Sequence, residues 1–440
     1  DGGCVVGGSF SSGIIYLGNG TNLVRSGPTY ASTSDGMLIK FDGNGETDWA
    51  KVIGDTGDEC INSVAKTSDE SYIIGGYFYS KSIDLGNGIN IVTKNFLPDG
   101  MLIKVQETEF PNPLVIQANE IGESGDEQID SVIATSDGGY ILGGGFSSSS
   151  IELKEGLSLV NNGGYDGMII KYSSDGEIDW AKAIGGKELD YINSLAETSD
   201  GGYIVGGYFN SSSIDLGNGI VLEKDCTADT PNIFTYEDGI LIKYSASGEV
   251  EWAKVIGGAR SEYISSVSAT KDGGYIVGGN FDSDNIDLGN GVYITGKENN
   301  SYNAIIKYSA SGEAEWAQEI SGNLSINSIA EAKNEGYIVG GSFNSESVDL
   351  GDGKILINKS DKDNSKTLQR DGMIIKYSIN GEVEWAKQIG EEGHESINAI
   401  DGTSDGGCIV GGYFYSSEID FGNEIIIENN GSTSQSDGMV

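Results

Sequence analysis

The residues of this 440-residue chain best placed to do chemistry are acids and amides that recur at one spacing. Glu59, Glu127, Asp190, Glu262 and Glu395 each stand two places before an apolar run that opens with Ile, and Leu324 breaks the series. The second residue of each run is Asn62, Asp130, Asn193, Ser265, Asn327 or Asn398. Oxygen donors in this number suit Ca²⁺ or an array of sugar hydroxyls. The competing reading is that they cap strand ends and are solvated. No DxDxDG loop and no EF-hand spacing occurs, so Ca²⁺ rests on the oxygen set alone, and no other cofactor is expected.

Catalytic groups are sparse. His394 is the only histidine, and one imidazole makes neither a triad nor a metal cluster. No GxSxG, HExxH or phosphate-binding loop is present. Paired carboxylates serve glycosidases, yet these acids repeat from copy to copy, as scaffold residues do. The expectation is a protein that is not an enzyme. Cys4, Cys60, Cys226 and Cys408 form no CxxC pair and read as structural thiols, with a disulfide left open by the spacing. Asn19, Asn210, Asn299, Asn323, Asn358 and Asn430 head Asn-x-Ser/Thr triplets, which accept sugar in a secreted chain.

The elements that must position these groups are repeats. Asp200 to Phe209, DGGYIVGGYF, has counterparts starting near residues 1, 69, 137, 272, 334 and 405. Asp-Gly-Gly is turn chemistry, and the β-branched and aromatic run after it is too short for a helix. Each copy holds four strand-like pieces: the Ile run, the DGGYIVGG piece, DGMIIKY as at Asp166 to Tyr172, and GEIDWAK as at Gly176 to Lys182. The turns between pieces one and two, and between three and four, are short enough for hairpins. Between pieces two and three stands a long link, usually opening Ile-Asp-Leu-Gly-Asn-Gly, and Asn-Gly there signals a further β-hairpin. About seven four-stranded units predict an all-β chain: a β-propeller of about seven blades, with β-hairpin inserts between strands two and three. The whole of 1–440 reads as one domain cut within a repeat at both ends, since the last copy stops at Asp437-Gly438-Met439-Val440.

The pattern GGYIVGGYF, then DGMIIKYSSDGE, then WAKAIGG resembles the kelch blade and, more closely, the β-propeller repeats of bacterial secreted and cell-surface proteins. That resemblance covers nearly all of the chain and implies fold and an extracellular or cell-surface setting rather than an activity. Within a propeller, the first strand conventionally lines the central channel, which would set the acids around its mouth. Trp49, Trp180, Trp252, Trp316 and Trp385 share one repeat position and read as plugs between blades, with Gln117 in that place in the second repeat. Tyr30, Tyr165, Phe234, Tyr236 and Tyr302 are the aromatics assigned to inserts and so to contacts.

Composition narrows the partners. Net charge is −41, which repels phosphate backbones and argues against nucleic acid. No run of apolar residues is long enough to cross a bilayer as a helix. The sequence therefore points to a non-enzymatic structural or adhesive module of a cell-surface or appendage protein, binding protein or assembling with itself through its inserts. The alternative is a carbohydrate-binding propeller, a lectin or the binding part of a polysaccharide-degrading enzyme.

Overall fold

The computed structural model describes residues 2–27, 33–108, 113–154, 156–225, 236–296, 302–333, 335–360, 369–422, 425–429 and 436–440. Its elements are all strands, and they form the seven blade sheets of a β-propeller. Five sheets have four strands. The third, for example, runs Glu127–Ala134, Tyr140–Phe146, Asp166–Tyr172 and Ile178–Ile184, hydrogen-bonded in chain order and antiparallel. The first sheet has three strands, Cys4–Phe10, Asp35–Phe41 and Thr47–Ile53, and the seventh has Glu395–Gly402, Cys408–Phe414 and Asp437–Met439. A two-stranded hairpin follows the DGGYIVGG strand of every sheet, from Ile14–Tyr16 with Asn22–Val24 to Glu418–Gly422 with Ile425–Glu428. At the hairpin tips Asn87, Asn218 and Asn290 hold φ of 53° to 55°, the left-handed conformation that Asn tolerates.

The chain divides into two compact units, one of Asp1–Glu197, Ser211–Val221 and Ser245–Val250, the other of Thr198–Asn210, Leu222–Tyr244 and Glu251–Val440. The same packing rule operates inside each. The first glycine of the Gly-Gly pair leaves a gap that the next sheet fills. A Cβ on Gly75 would stand 2.6 Å from Ile129 and Val132 in the first unit, and one on Gly206 would stand 2.7 Å from Ile264 in the second. The second glycine meets main chain instead: Cβ atoms on Gly76, Gly144, Gly279, Gly341 and Gly412 would run into the carbonyls of Cys60, Gln128, Tyr263, Ser325 and Ser396.

Those carbonyls adjoin a bulge. The first strand slips one residue against the second between Ile61 and Ser63, Ile129 and Ser131, Ile264 and Ser266, Ile326 and Ser328, and Ile397 and Ala399. A bulge leaves its extra residue out of the ladder and re-aims its side chain. Asn62, Asp130, Ser265, Asn327 and Asn398 are those extra residues.

The DGMIIKY strand carries a buried lysine in four of the five four-stranded sheets, Lys171, Lys243, Lys307 and Lys376. Lys171 and Lys243 have side chains 1% and 2% exposed. Lys243 reaches Asp200 of the turn at 3.0 Å and Glu251 of the fourth strand at 3.2 Å, and Lys171 pairs likewise with Asp137 and Asp179. One ammonium thus fastens three strands of its own sheet.

Candidate functional site

The first strand begins two residues earlier than the Ile run suggests, so each acid is the strand's first residue. Glu59, Glu127, Asp190, Glu262 and Glu395 are all 0% exposed, so their carboxylates look into the protein instead of ringing an open mouth. Each is held by main-chain N–H groups. Ser80 N donates to Glu59 Oε1 at 2.9 Å, Ser148 N to Glu127 Oε1 at 2.9 Å, Ser211 N to Asp190 Oδ1 at 3.1 Å, Ser283 N to Glu262 Oε1 at 3.0 Å and Ser416 N to Glu395 Oε1 at 3.0 Å. Asp55, Glu123, Gly186 and Glu391 add an N–H from the loop four residues upstream. Burial pushes Glu262 up to about 8 against the Ser283 bonds that oppose it, and raises Glu59, Glu127 and Glu395 as well.

The amides and hydroxyls beside them reach the next sheet. Asn62 Nδ2 donates to Ile129 O at 2.9 Å and Asp130 Oδ1 at 3.1 Å, Ser265 Oγ to Ile326 O at 2.7 Å, and Asn327 Nδ2 to Ile397 O at 2.8 Å. Asn398 accepts from Ser396 Oγ at 2.9 Å, and Asn193 is half-buried. Burial raises Asp130 although Tyr191 and Gln128 both donate to it.

Trp180 lies over Gly248, where a Cβ would come within 2.7 Å of the ring, and donates its indole N–H to Ala246 O at 3.2 Å. Trp252 covers Gly312 and Trp316 covers Gly381 in the same way, while Gln117 takes the position over Gly176. Trp49 is buried, edge-on to Tyr72 at 5.9 Å. Trp385 is 42% exposed, and the seventh sheet has no fourth strand among the described residues.

The insert aromatics divide. Tyr236 is exposed, and Tyr165 stacks on Tyr191 at 5.4 Å. Tyr302 requires correction: it opens the strand Tyr302–Tyr308, is buried and donates to Ser283 O, so it makes no surface contact. Tyr30, Phe234, Cys226, Asn299 and Asn430 lie outside the described residues. Asn19 and Asn323 are exposed and Asn210 is half-buried. Asn358 is corrected too, since its buried amide nitrogen donates to Phe343 O and Gln369 O, bonds a sugar would displace. His394 accepts from Arg370 N through Nδ1 at 3.2 Å, and burial together with the Arg370 charge lowers its pKa. Cys4, Cys60 and Cys408 are free, half-buried thiols whose pKa burial raises.

Two features escaped the sequence reading. The first is the aspartate opening the third strand, Asp35, Asp99, Asp166, Asp238 or Asp371, which is fully buried beside the acid series. The constant interval of 21 residues from each acid to its serine was the signal for that cluster. The second is an apolar row on the hairpins. Their second strands turn Leu23, Ile91, Leu159, Leu222, Ile294 and Leu356 inward, while Val24, Val92, Val160, Val221, Tyr293, Ile355 and Ile357 point outward with 47% to 65% of their surface exposed. A period-two strand normally turns polar residues outward, yet an apolar residue stands outward in each of six successive hairpins.

No family model matches the chain. It is 23% identical over 444 residues to an uncharacterized WD repeat-containing protein, L264, of Acanthamoeba polyphaga mimivirus, an alignment covering 85% of this chain and 31% of that protein, so the chain spans about a third of its relative's length. Among solved structures it is similar to a protein of unknown function from Bacteroides caccae (11% identity, 80% of this chain and 89% of the other, TM-score 0.35). It is also similar to YCF48 bound to D1 peptide (10% identity, 94% and 92%, TM-score 0.37). No helix of the described residues is long and apolar enough to cross a membrane. With seven copies of one motif folded into seven blade sheets, the chain is a β-propeller built of repeats.

Proposed function

We propose that this chain is a non-enzymatic protein-binding propeller, a structural or adhesive module of a cell-surface or appendage protein, and that the hairpin inserts make its contacts. The observation carrying this reading is the row of outward Val, Ile and Tyr on the hairpins, joined by Phe96, which is fully exposed in the second insert. Scattered apolar residues on a surface need no explanation, but an outward apolar residue beside the inward one in each of six successive hairpins does. The YCF48 structure holds a peptide, and a peptide or protein segment is the kind of partner proposed here. Exposed sequons at Asn19 and Asn323 fit an extracellular setting.

The test compares the wild-type chain with a Val92→Asp, Val160→Asp, Ile355→Asp, Ile357→Asp variant by negative-stain electron microscopy and light scattering. Filaments, sheets or oligomers of the wild type that the variant fails to form, at an unchanged melting temperature, support the reading. A wild-type chain that stays monomeric and is not retained on its native surface any better than the variant would overturn it.

A glycan-binding reading draws on one cleft of about 600 Å³ in the first unit, lined by Asn162, Lys187, Ser212, Ser213, Asp215 and nearby glycines. Those groups can meet sugar hydroxyls, but no aromatic ring lines the cleft for stacking. A glycan array without hits, with and without millimolar Ca²⁺, removes this alternative.

A further inference from the structure

Five junctions between consecutive sheets contain the same buried pair. The aspartate opening a third strand faces the acid opening the next sheet's first strand: Asp35 with Glu59, Asp99 with Glu127, Asp166 with Asp190, Asp238 with Glu262, Asp371 with Glu395. All ten side chains are at most 1% exposed. Each aspartate accepts one main-chain N–H at Oδ2, from Ser26, Lys94, Asn162, Asp225 or Lys359 at 2.6 to 3.1 Å. The other oxygen has no such bond. Asp35 Oδ1, Asp99 Oδ1, Asp166 Oδ1 and Asp371 Oδ1 are buried without a hydrogen-bond partner, and so is Glu262 Oε2.

At two junctions the orphaned aspartate oxygen and the opposite carboxylate converge on one glycine. Asp99 Oδ1 and Glu127 Oε2 crowd the bare face of Gly122, 2.5 and 2.6 Å from where a Cβ would stand, and Glu395 Oε2 and Asp371 Oδ1 converge on Gly390 at 2.5 and 2.9 Å. Gly54, Gly185 and Gly257 make the same room for Asp35, Asp166 and Asp238. The neighbouring lysines are engaged elsewhere, with Lys94 Nζ on Glu123, Lys224 Nζ on Asn210 and Lys359 Nζ on Glu391. Two carboxylates shut together in a buried junction repel each other and lose their hydration, so each pair takes up either a cation or a shared proton.

One junction supplies an internal control. Where Leu324 replaces the acid, Asn303 replaces the aspartate, and its amide bonds main chain on both sides, donating to Leu324 O at 2.8 Å and accepting from Ile326 N at 3.2 Å. Ser345, at the serine position of that junction, has a buried hydroxyl with no partner. Both charges are lost from the same junction, which marks the two carboxylates as one unit.

We propose that each of the five carboxylate pairs is a Ca²⁺ site fastening one sheet to the next. The donors are all oxygen, which selects a hard cation over zinc or copper. Among the described residues no three His, Cys, Asp or Glu side chains gather in a metal-ligating group, so two carboxylates are the side-chain share of each site. Ca²⁺ takes roughly six to eight oxygens, so main-chain carbonyls and water admitted to the junction would have to supply the rest. The inference stands apart from the partner-binding reading, because the pairs are buried and the hairpin row is not.

The test uses the full chain, stripped with chelator and titrated with CaCl₂ near neutral pH, following bound Ca²⁺ by equilibrium dialysis and unfolding by melting temperature. The expected result is five Ca²⁺ per chain and a melting temperature that rises with Ca²⁺. A D99N/E127Q variant should bind four, and an N303D/L324E variant should gain a sixth, which keeps the test alive if the first variant folds poorly. No bound Ca²⁺ at millimolar concentration with an unmoved melting temperature overturns the proposal and leaves each pair to share a proton. A stoichiometry that neither variant alters overturns it equally.

Discussion

At the scale of single residues, the repeats show what each position is for where a copy departs from the rest. Most turns between first and second strands place glycine at positive φ, as at Gly201 with φ 79° and Gly273 with φ 85°. The second repeat reads Asp-Glu-Ser there, and Glu70 is forced to φ 63°. A non-glycine residue in that region carries about 1 kcal/mol of strain. Glu70→Gly is therefore expected to stabilise the protein by about that amount, seen as a rise in the urea midpoint. Its i,i+4 pair with Lys66 is solvent-exposed and contributes little to set against the gain. The buried lysines behave oppositely. Lys243→Met removes an ammonium serving Asp200, Glu251 and the Tyr244 carbonyl, and should cost about 2 kcal/mol in chemical denaturation.

At the scale of elements, the same lysines give the third and fourth sheets an acid-labile fastening. Burial opposes ionisation of Asp137 and Asp200, but Thr198 and Gly202 for Asp200, and Lys171 and Thr135 for Asp137, overcome it and hold both near 2. Their folded pKa lies below the unfolded value near 4. The stabilisation is therefore complete above about pH 4 and is lost as pH falls toward 2, where the folded carboxylates take up protons. Acid unfolding monitored by circular dichroism should show this loss, and Lys243→Met should flatten it for the fourth sheet. Hairpins belong to another class of element. Their inward Leu and Ile pack on the sheets while their outward positions add nothing to stability, so polar substitutions there should move the melting temperature by no more than about 0.5 kcal/mol equivalent.

At the scale of the whole molecule, charge dominates. A net charge of −41 on 440 residues means that every folded copy works against its own repulsion. Raising NaCl from low to physiological concentration, where the Debye length is about 8 Å, should raise the melting temperature by screening. CaCl₂ at matched ionic strength should raise it further, since screening acts on the surface and leaves the buried pairs untouched. Equal effects of the two salts would assign the whole response to screening.

What the sequence determined by itself is local. Turn chemistry in Asp-Gly-Gly and Gly-Asn-Gly, period-two alternation in GEIDWAK and the β-branched runs specified strands, hairpins and the sevenfold repetition, because each depends on residues adjacent in the chain. The inserts were legible for the same reason, down to the Asn at their tips. Burial was not legible, because it depends on which surfaces meet. Glu127 and Asp99 are 28 residues apart and each reads as part of an acidic coat, yet the junction closes them together with the bare face of Gly122 between them. The bulge likewise turns Asn62 toward Ile129, a contact no local pattern announces. Tertiary structure alone decided that acids which colour the composition are among the most buried ionisable groups of the described residues, since desolvation is a property of packing and not of spacing.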